Sequence, residues 1–120
     1  MSETFEQALQ ILVGEQLSSV EFVMDYVQLR FNGQCLTVYS AAHQIKTNGV
    51  SVVWGESGYR DALCNLITHK VREINLAVSE RLSLIFDGGS AWSLSLCNSD
   101  YVGPEALMFT DEMSKSCFVI

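Results

Sequence analysis

The stretch Val27–Val38, VQLRFNGQCLTV, returns further along the chain in nearly the same form, LSLIFDGGSAWSL, from Leu82 to Leu94. In the first copy Val27, Leu29 and Phe31 alternate with Gln28 and Arg30, which is the period of a half-buried strand. Asn32-Gly33 then supplies a turn pair that tolerates positive φ, and Leu36 and Val38 alternate on the way back. In the second copy Leu82, Leu84 and Phe86 lead into Asp87-Gly88-Gly89, and Trp92, Leu94 and Leu96 return. Clean alternation gives each hairpin one apolar and one polar face, which favours antiparallel sheet. A chain of 120 residues that carries one hairpin twice is strongly restricted in architecture.

The likeness extends upstream. Phe5–Val23 aligns without gaps on Tyr59–Ala77, with Ala8, Leu9 and Leu12 matched by Ala62, Leu63 and Leu66. Both segments begin with helical spacing of apolar residues. Thr4 and Gln7 have the spacing of a capping box, and Gly14 can stop the helix. The expected helices lie near 4–13 and 57–67, followed by strands Leu17–Val23 and Val71–Val78. A further strand is expected to close each unit, Val50–Trp54 after Gly49 and Ala106–Phe109 after Gly103. The fold expected is therefore α+β, with two similar α-β-β-β(-β) units whose mostly antiparallel sheet packs against two helices. They form one domain over 1–120, with the repeat over about 4–54 and 58–109 and an edge strand at 117–120. Neither helix nor sheet can bury its apolar face alone, so both units must share a core.

Composition excludes several functions. The apolar fraction is 48% with a single proline, so a packed domain is expected rather than disorder. No apolar run approaches the ~20 residues of a membrane helix. The acidic start MSETFEQALQ lacks the basic and apolar regions of a secretory signal. Cys35, Cys64, Cys97 and Cys117 form no close pair, and unpaired thiols in a cytoplasm are expected. The net charge is −7, and residues 1–29 hold five acids and no base. Nucleic acid is repelled by such a chain, whereas a basic protein is attracted.

The search for chemistry finds little. His43 and His69 are isolated from each other and from any zinc-type cysteine spacing, so no metal is expected. Cys64 and His69 stand five apart and share no helix face, and there is no G-x-S-x-G. Glu21 with Asp25, or Asp111 with Glu112, offers paired carboxylates, but a surface role is the simpler reading. Asp87-Gly88-Gly89 joins two strands and so lacks the helix start that holds a phosphate. The terminal CFVI has the outline of a prenylation signal without an aliphatic residue at Phe118 or any basic stretch before it. The expectation is a protein without catalytic residues or cofactor.

Recognition remains. Tyr26, Tyr39, Trp54 and Tyr101 fall beside turns or on polar strand phases, where aromatic side chains anchor interfaces. Glu21–Tyr26 and Asp100–Glu105 combine acids with aromatics, which suits an Arg- or Lys-bearing partner. The partner-binding candidates are Glu21, Asp25, Tyr26, Asp100, Tyr101, Glu105, Asp111 and Glu112.

The blocks FVMDYVQLRFNG, GYRDALCNLI, FDGG and GPEA resemble a group of small bacterial proteins of uncharacterised function. In size and acidity the chain is also similar, as a class, to toxin-neutralising immunity proteins such as those of contact-dependent growth inhibition systems. That resemblance implies a cytoplasmic protein that binds one toxin domain, often a basic nuclease, and blocks it. Immunity proteins share no motif, so the resemblance assigns no residue. The alternative expectation is a small-ligand or subunit-binding module with a cleft between the repeats.

Overall fold

The computed structural model describes residues 4–77, 80–97, 106–112 and 116–120. Among the described residues two short α-helices, α1 (Phe5–Leu9) and α2 (Tyr59–Cys64), accompany ten strands. The first five are β1 (Ser19–Val23), β2 (Tyr26–Arg30), β3 (Gln34–Val38), β4 (His43–Thr47) and β5 (Val50–Val53). The second five are β6 (Val71–Ala77), β7 (Arg81–Phe86), β8 (Ala91–Ser95), β9 (Leu107–Asp111) and β10 (Ser116–Val119). They form two antiparallel sheets, ordered β1-β2-β3-β9-β10 and β5-β4-β8-β7-β6. The α+β class and the antiparallel pairing expected from the sequence are both present.

The two orders are the same order. Replacing each strand by the one five later turns the first sheet into β6-β7-β8-β4-β5, the second sheet read backwards. Each half builds a three-strand meander and contributes its last hairpin to the sheet of the other half. The registers agree as well. Val20, Leu29, Leu36, Phe109 and Phe118 form one inward rung of the first sheet. Ile74, Leu84, Trp92, Ile45 and Val52 form its counterpart. These rungs join the buried faces of the helices, Ala8 and Leu9 of α1 and Tyr59 and Leu63 of α2, in a single apolar core.

The halves meet at the segments that follow the helices. Gly14 donates to Val71 O (2.7 Å) and Thr68 to Leu17 O (2.8 Å). Leu17 donates to His69 O (3.0 Å) and Val71 to Glu15 O (2.9 Å). The four bonds fall into two pairs that exchange when the halves are exchanged. They also explain why the helices are shorter than their periodicity predicts. The capping box of α1 is made as expected, Thr4 Oγ1 accepting from Gln7 N and Gln7 Oε1 from Thr4 N. After a 3₁₀ turn (Gln10–Leu12), however, Val13 becomes extended and Gly14 takes φ +90° to reach the other half. Long-range pairing wins over local helix propensity, which is worth only a few tenths of a kcal/mol per residue.

Two expectations about the strands need correction. His43–Thr47 was not expected as a strand, although, with Thr47 in register with Val50, Asn48-Gly49 beside it is a two-residue hairpin turn. Both residues have positive φ, 52° and 81°, as a two-residue turn between twisted strands requires. In Asn32-Gly33 only Gly33 has positive φ, and Phe31 N donates to Gln34 O across the turn. The expected closing strands are also not equivalent. Val50–Val53 lies at an edge, as Ser116–Val119 does, whereas Leu107–Asp111 occupies the place of His43–Thr47.

Candidate functional site

The equivalence of the two sheets makes their differences informative, and the differences concentrate in two places. The first is a buried aromatic corner. In the first sheet the second inward rung is Phe22, Val27, Val38, Leu107 and Ile120, wholly apolar. In the second sheet it is Leu76, Leu82, Leu94, His43 and Trp54. Tyr59 of α2 takes the place that Phe5 has in α1, and Trp92 the place of Leu36.

These side chains form one hydrogen-bonded group. Trp92 Nε1 can only donate, and it donates to Tyr59 Oη at 3.2 Å. Tyr59 Oη is also hydrogen-bonded to His43 Nδ1, and with the ring neutral the tautomer that leaves Nδ1 unprotonated lets the phenol donate to it. The Trp54 ring stacks on His43, with centroids 5.0 Å apart, and on Phe22 at 6.1 Å. His43 and Tyr59 are 3% and 1% exposed. Burial disfavours the charged form of each, holding His43 down to about 4 and pushing the Tyr59 hydroxyl well above its ordinary value. Both are neutral at physiological pH. The group fixes α2, β4 and β8 to one another.

The second place is the outer face of the sheet β1-β2-β3-β9-β10. Tyr26 and Tyr39 stand side by side there, with centroids 5.9 Å apart. Tyr39 Oη lies 4.0 Å from Met108 Sδ. Gln28 Nε2 donates to Thr37 Oγ1 at 3.2 Å, and Arg30 donates to Gln28 Oε1 at 2.8 Å and reaches Glu21 at 3.5 Å. Asp25 is exposed in the β1–β2 turn beside Met24, whose side chain is wholly in solvent. On the other sheet the counterparts of Tyr26, Tyr39 and Met108 are Arg81, Ser95 and Gln44. One outer face is thus aromatic and thioether-bearing with an acidic rim, and the other is mostly small and polar.

The sequence-derived candidates divide accordingly. Glu21, Asp25 and Tyr26 come together on this face, and Glu112 is exposed near its far end. Asp111 does not belong to the surface. It is 3% exposed and in register with Gln34, because it shares the inward phase of Leu107 and Phe109. That phase was readable in LMFTD. Asp100, Tyr101 and Glu105 lie outside the described residues. Arg30 is part of the face as the partner of Glu21. Met108 was missed because nothing in its spacing marks a strand's outward face until its neighbours are known, and Met24 lies in the turn between β1 and β2. Along the seam between the halves, Leu17 and Val71 are buried.

Among the described residues no three His, Cys, Asp or Glu side chains converge as metal ligands, and no helix is long and apolar enough to cross a membrane. Comparison with protein-family models, curated proteins and solved structures finds no match to this chain.

Proposed function

We propose that this protein is a stoichiometric inhibitor of the immunity type, a cytoplasmic partner that binds a basic toxin domain through the outer face of the sheet β1-β2-β3-β9-β10. The observation that carries this reading is the pair Tyr26–Tyr39 on Met108, bordered by Glu21 and Asp25, where the equivalent positions of the other sheet hold Arg81, Ser95 and Gln44. Tyrosine and methionine are enriched at interface centres, and acids at the rim steer a basic partner into place. Blocking is steric and electrostatic: the acids face the cations with which a nuclease holds phosphate.

The test is the affinity of the whole protein for a basic toxin domain encoded beside it. Tyr26→Ala and Tyr39→Ala are expected to weaken the complex by about 2 kcal/mol each, the scale of a central anchor. Asp25→Lys is expected to slow association at low salt, as rim charges do. Arg81→Ala, on the other sheet, leaves both unchanged. A complex indifferent to the tyrosines, or no complex, overturns the reading.

A further inference from the structure

The outer face of the second sheet holds a hydroxyl with nothing to bond. Ser93 stands on the outward phase of β8, between the inward-facing Trp92 and Leu94, yet it is 9% exposed. No hydrogen bond reaches its Oγ from any described residue. Polar groups so covered are rarely left alone, because an unpaired one forfeits the bonds it had with water. The equivalent position on the first sheet shows how the fold satisfies such a hydroxyl. There Thr37, 3% exposed, accepts from Gln28 Nε2 at 3.2 Å. Ser83 occupies the seat of Gln28 on the second sheet, in register with Ser93, and makes no such bond.

Ser93 opens instead on a cleft of about 280 Å³ that it lines together with Gln44, Arg81 and Ser95. Register places Gln44 opposite Ser93 and Arg81 opposite Ser95, with all four on the outward phase. Neither the Gln44 amide nor the Arg81 guanidinium bonds a described residue, and no carboxylate among these residues pairs with Arg81. Glu56, just beyond the edge strand β5, is held on Val53 N–H at 2.8 Å. Ala42, Val53 and Trp54 add an apolar wall. The cleft thus combines one positive charge, a hydroxyl and an amide with an apolar side, and no acid among the described residues lines it.

We propose that this cleft binds a small organic monocarboxylate with a short apolar tail. The site lies on the other sheet from the partner surface proposed above and does not rest on that reading. A guanidinium presents parallel N–H donors that match the two oxygens of a carboxylate, and the Ser93 hydroxyl and the Gln44 amide can donate to the same group. One cation neutralises one negative charge, whereas a phosphate dianion would leave an excess in a chain already at −7. The tail rests against Ala42 and Val53, where burial of apolar area adds to affinity.

The experiment is an NMR titration of the whole isotope-labelled protein, at constant ionic strength, with butyrate, its neutral isostere butyramide, and inorganic phosphate. Butyrate is expected to give saturable shifts at the Gln44 side-chain amide, the Ser93 backbone amide and the Arg81 Nε–H. Butyramide should give none, and phosphate should bind more weakly. Ser93→Ala is expected to weaken butyrate about tenfold, the worth of one hydrogen bond to a charged group. Arg81→Gln, at an exposed position, should remove saturation altogether, and this variant carries the test should Ser93→Ala fail to fold. Tyr26→Ala, on the first sheet, should leave butyrate binding unchanged. Absence of saturable shifts, equal binding of butyramide, phosphate at least as tight as butyrate, or binding unaltered in Arg81→Gln or in folded Ser93→Ala overturns the proposal. So does loss of butyrate binding in Tyr26→Ala. Toxin affinity is read through Tyr26 and butyrate affinity through Arg81, so the two readings fail separately.

Discussion

The seam between the halves sets Gly14 and Thr68 in equivalent seats, and their exchange makes a quantitative experiment. Gly14 has φ +90° and Thr68 φ +86°, and each donates its N–H across the seam. For glycine this region is free of steric cost, but for a β-branched residue it is an outlier. The left-handed region costs an L-residue about 1–2 kcal/mol. Replacing Thr68 by glycine removes that cost and adds glycine's larger loss of chain entropy, about 0.5–1 kcal/mol. The Thr68 side chain is exposed, so little packing is lost. Thr68→Gly should therefore stabilise the fold by about 1 kcal/mol. The reciprocal Gly14→Thr should destabilise it by a similar amount or more. A Cβ built on Gly14 meets nothing within 4 Å, so the loss there is backbone strain alone. Equilibrium urea unfolding reads both as shifts of the midpoint at constant slope, and a change of 1 kcal/mol moves the thermal midpoint by about 4 °C in a domain of this size. If Thr68→Gly is no more stable than Thr68→Ala, the strain argument is refuted and the seam is not governed by φ.

His43 makes stability depend on pH. Its ordinary value of 6.5 is lowered by burial to about 4 in the folded protein, so protonation favours the unfolded chain. The contribution is complete above pH 6.5 and is lost as pH falls towards 4, amounting to about 3 kcal/mol at the lower end. Urea midpoints at both ends of this window should converge in His43→Leu relative to the parent protein; an unchanged pH dependence would falsify the assignment. The four cysteines are free thiols. Alkylation under denaturing, non-reducing conditions should add four groups, and in the native protein exposed Cys64 and Cys117 should react before Cys35, whose thiol is pushed up by burial. Mass spectrometry showing two or fewer additions after denaturation would mean disulfides.

Strand alternation was legible wherever an outward polar phase faced an inward apolar one, as in Val27–Phe31 and Leu82–Phe86. It failed at His43–Thr47, HQIKT, because His43 is polar by type and apolar by location. A histidine reads as buried only when its bonding partner is known, and Tyr59 lies sixteen residues away on another element. The same blindness placed Asp111 on the surface. Helix lengths were overestimated because the pairing that ends them is with the other half of the chain. Of the candidate face, Glu21, Asp25 and Tyr26 were found through local clustering, whereas Tyr39 and Met108 join them only through the β2-β3-β9 pairing.

That pairing also explains why function is best sought in the departures from equivalence. Two sheets with one strand order and one register must solve the same packing problem twice. Where both solutions are apolar, as in the rungs through Leu36 and Trp92, the residues are accounted for by burial. Where one half is closed by the simplest means and the other is not, folding alone does not explain the more elaborate choice. The His43–Tyr59–Trp92 group is such a choice, and its burial ties it to stability through the charge state of His43. The Tyr26–Tyr39–Met108 patch is also such a choice, and it lies open on the outer face of the sheet β1-β2-β3-β9-β10. Under the proposed function, that aromatic departure is where a basic partner's footprint is to be sought, on the outer face of this sheet rather than on that of the other.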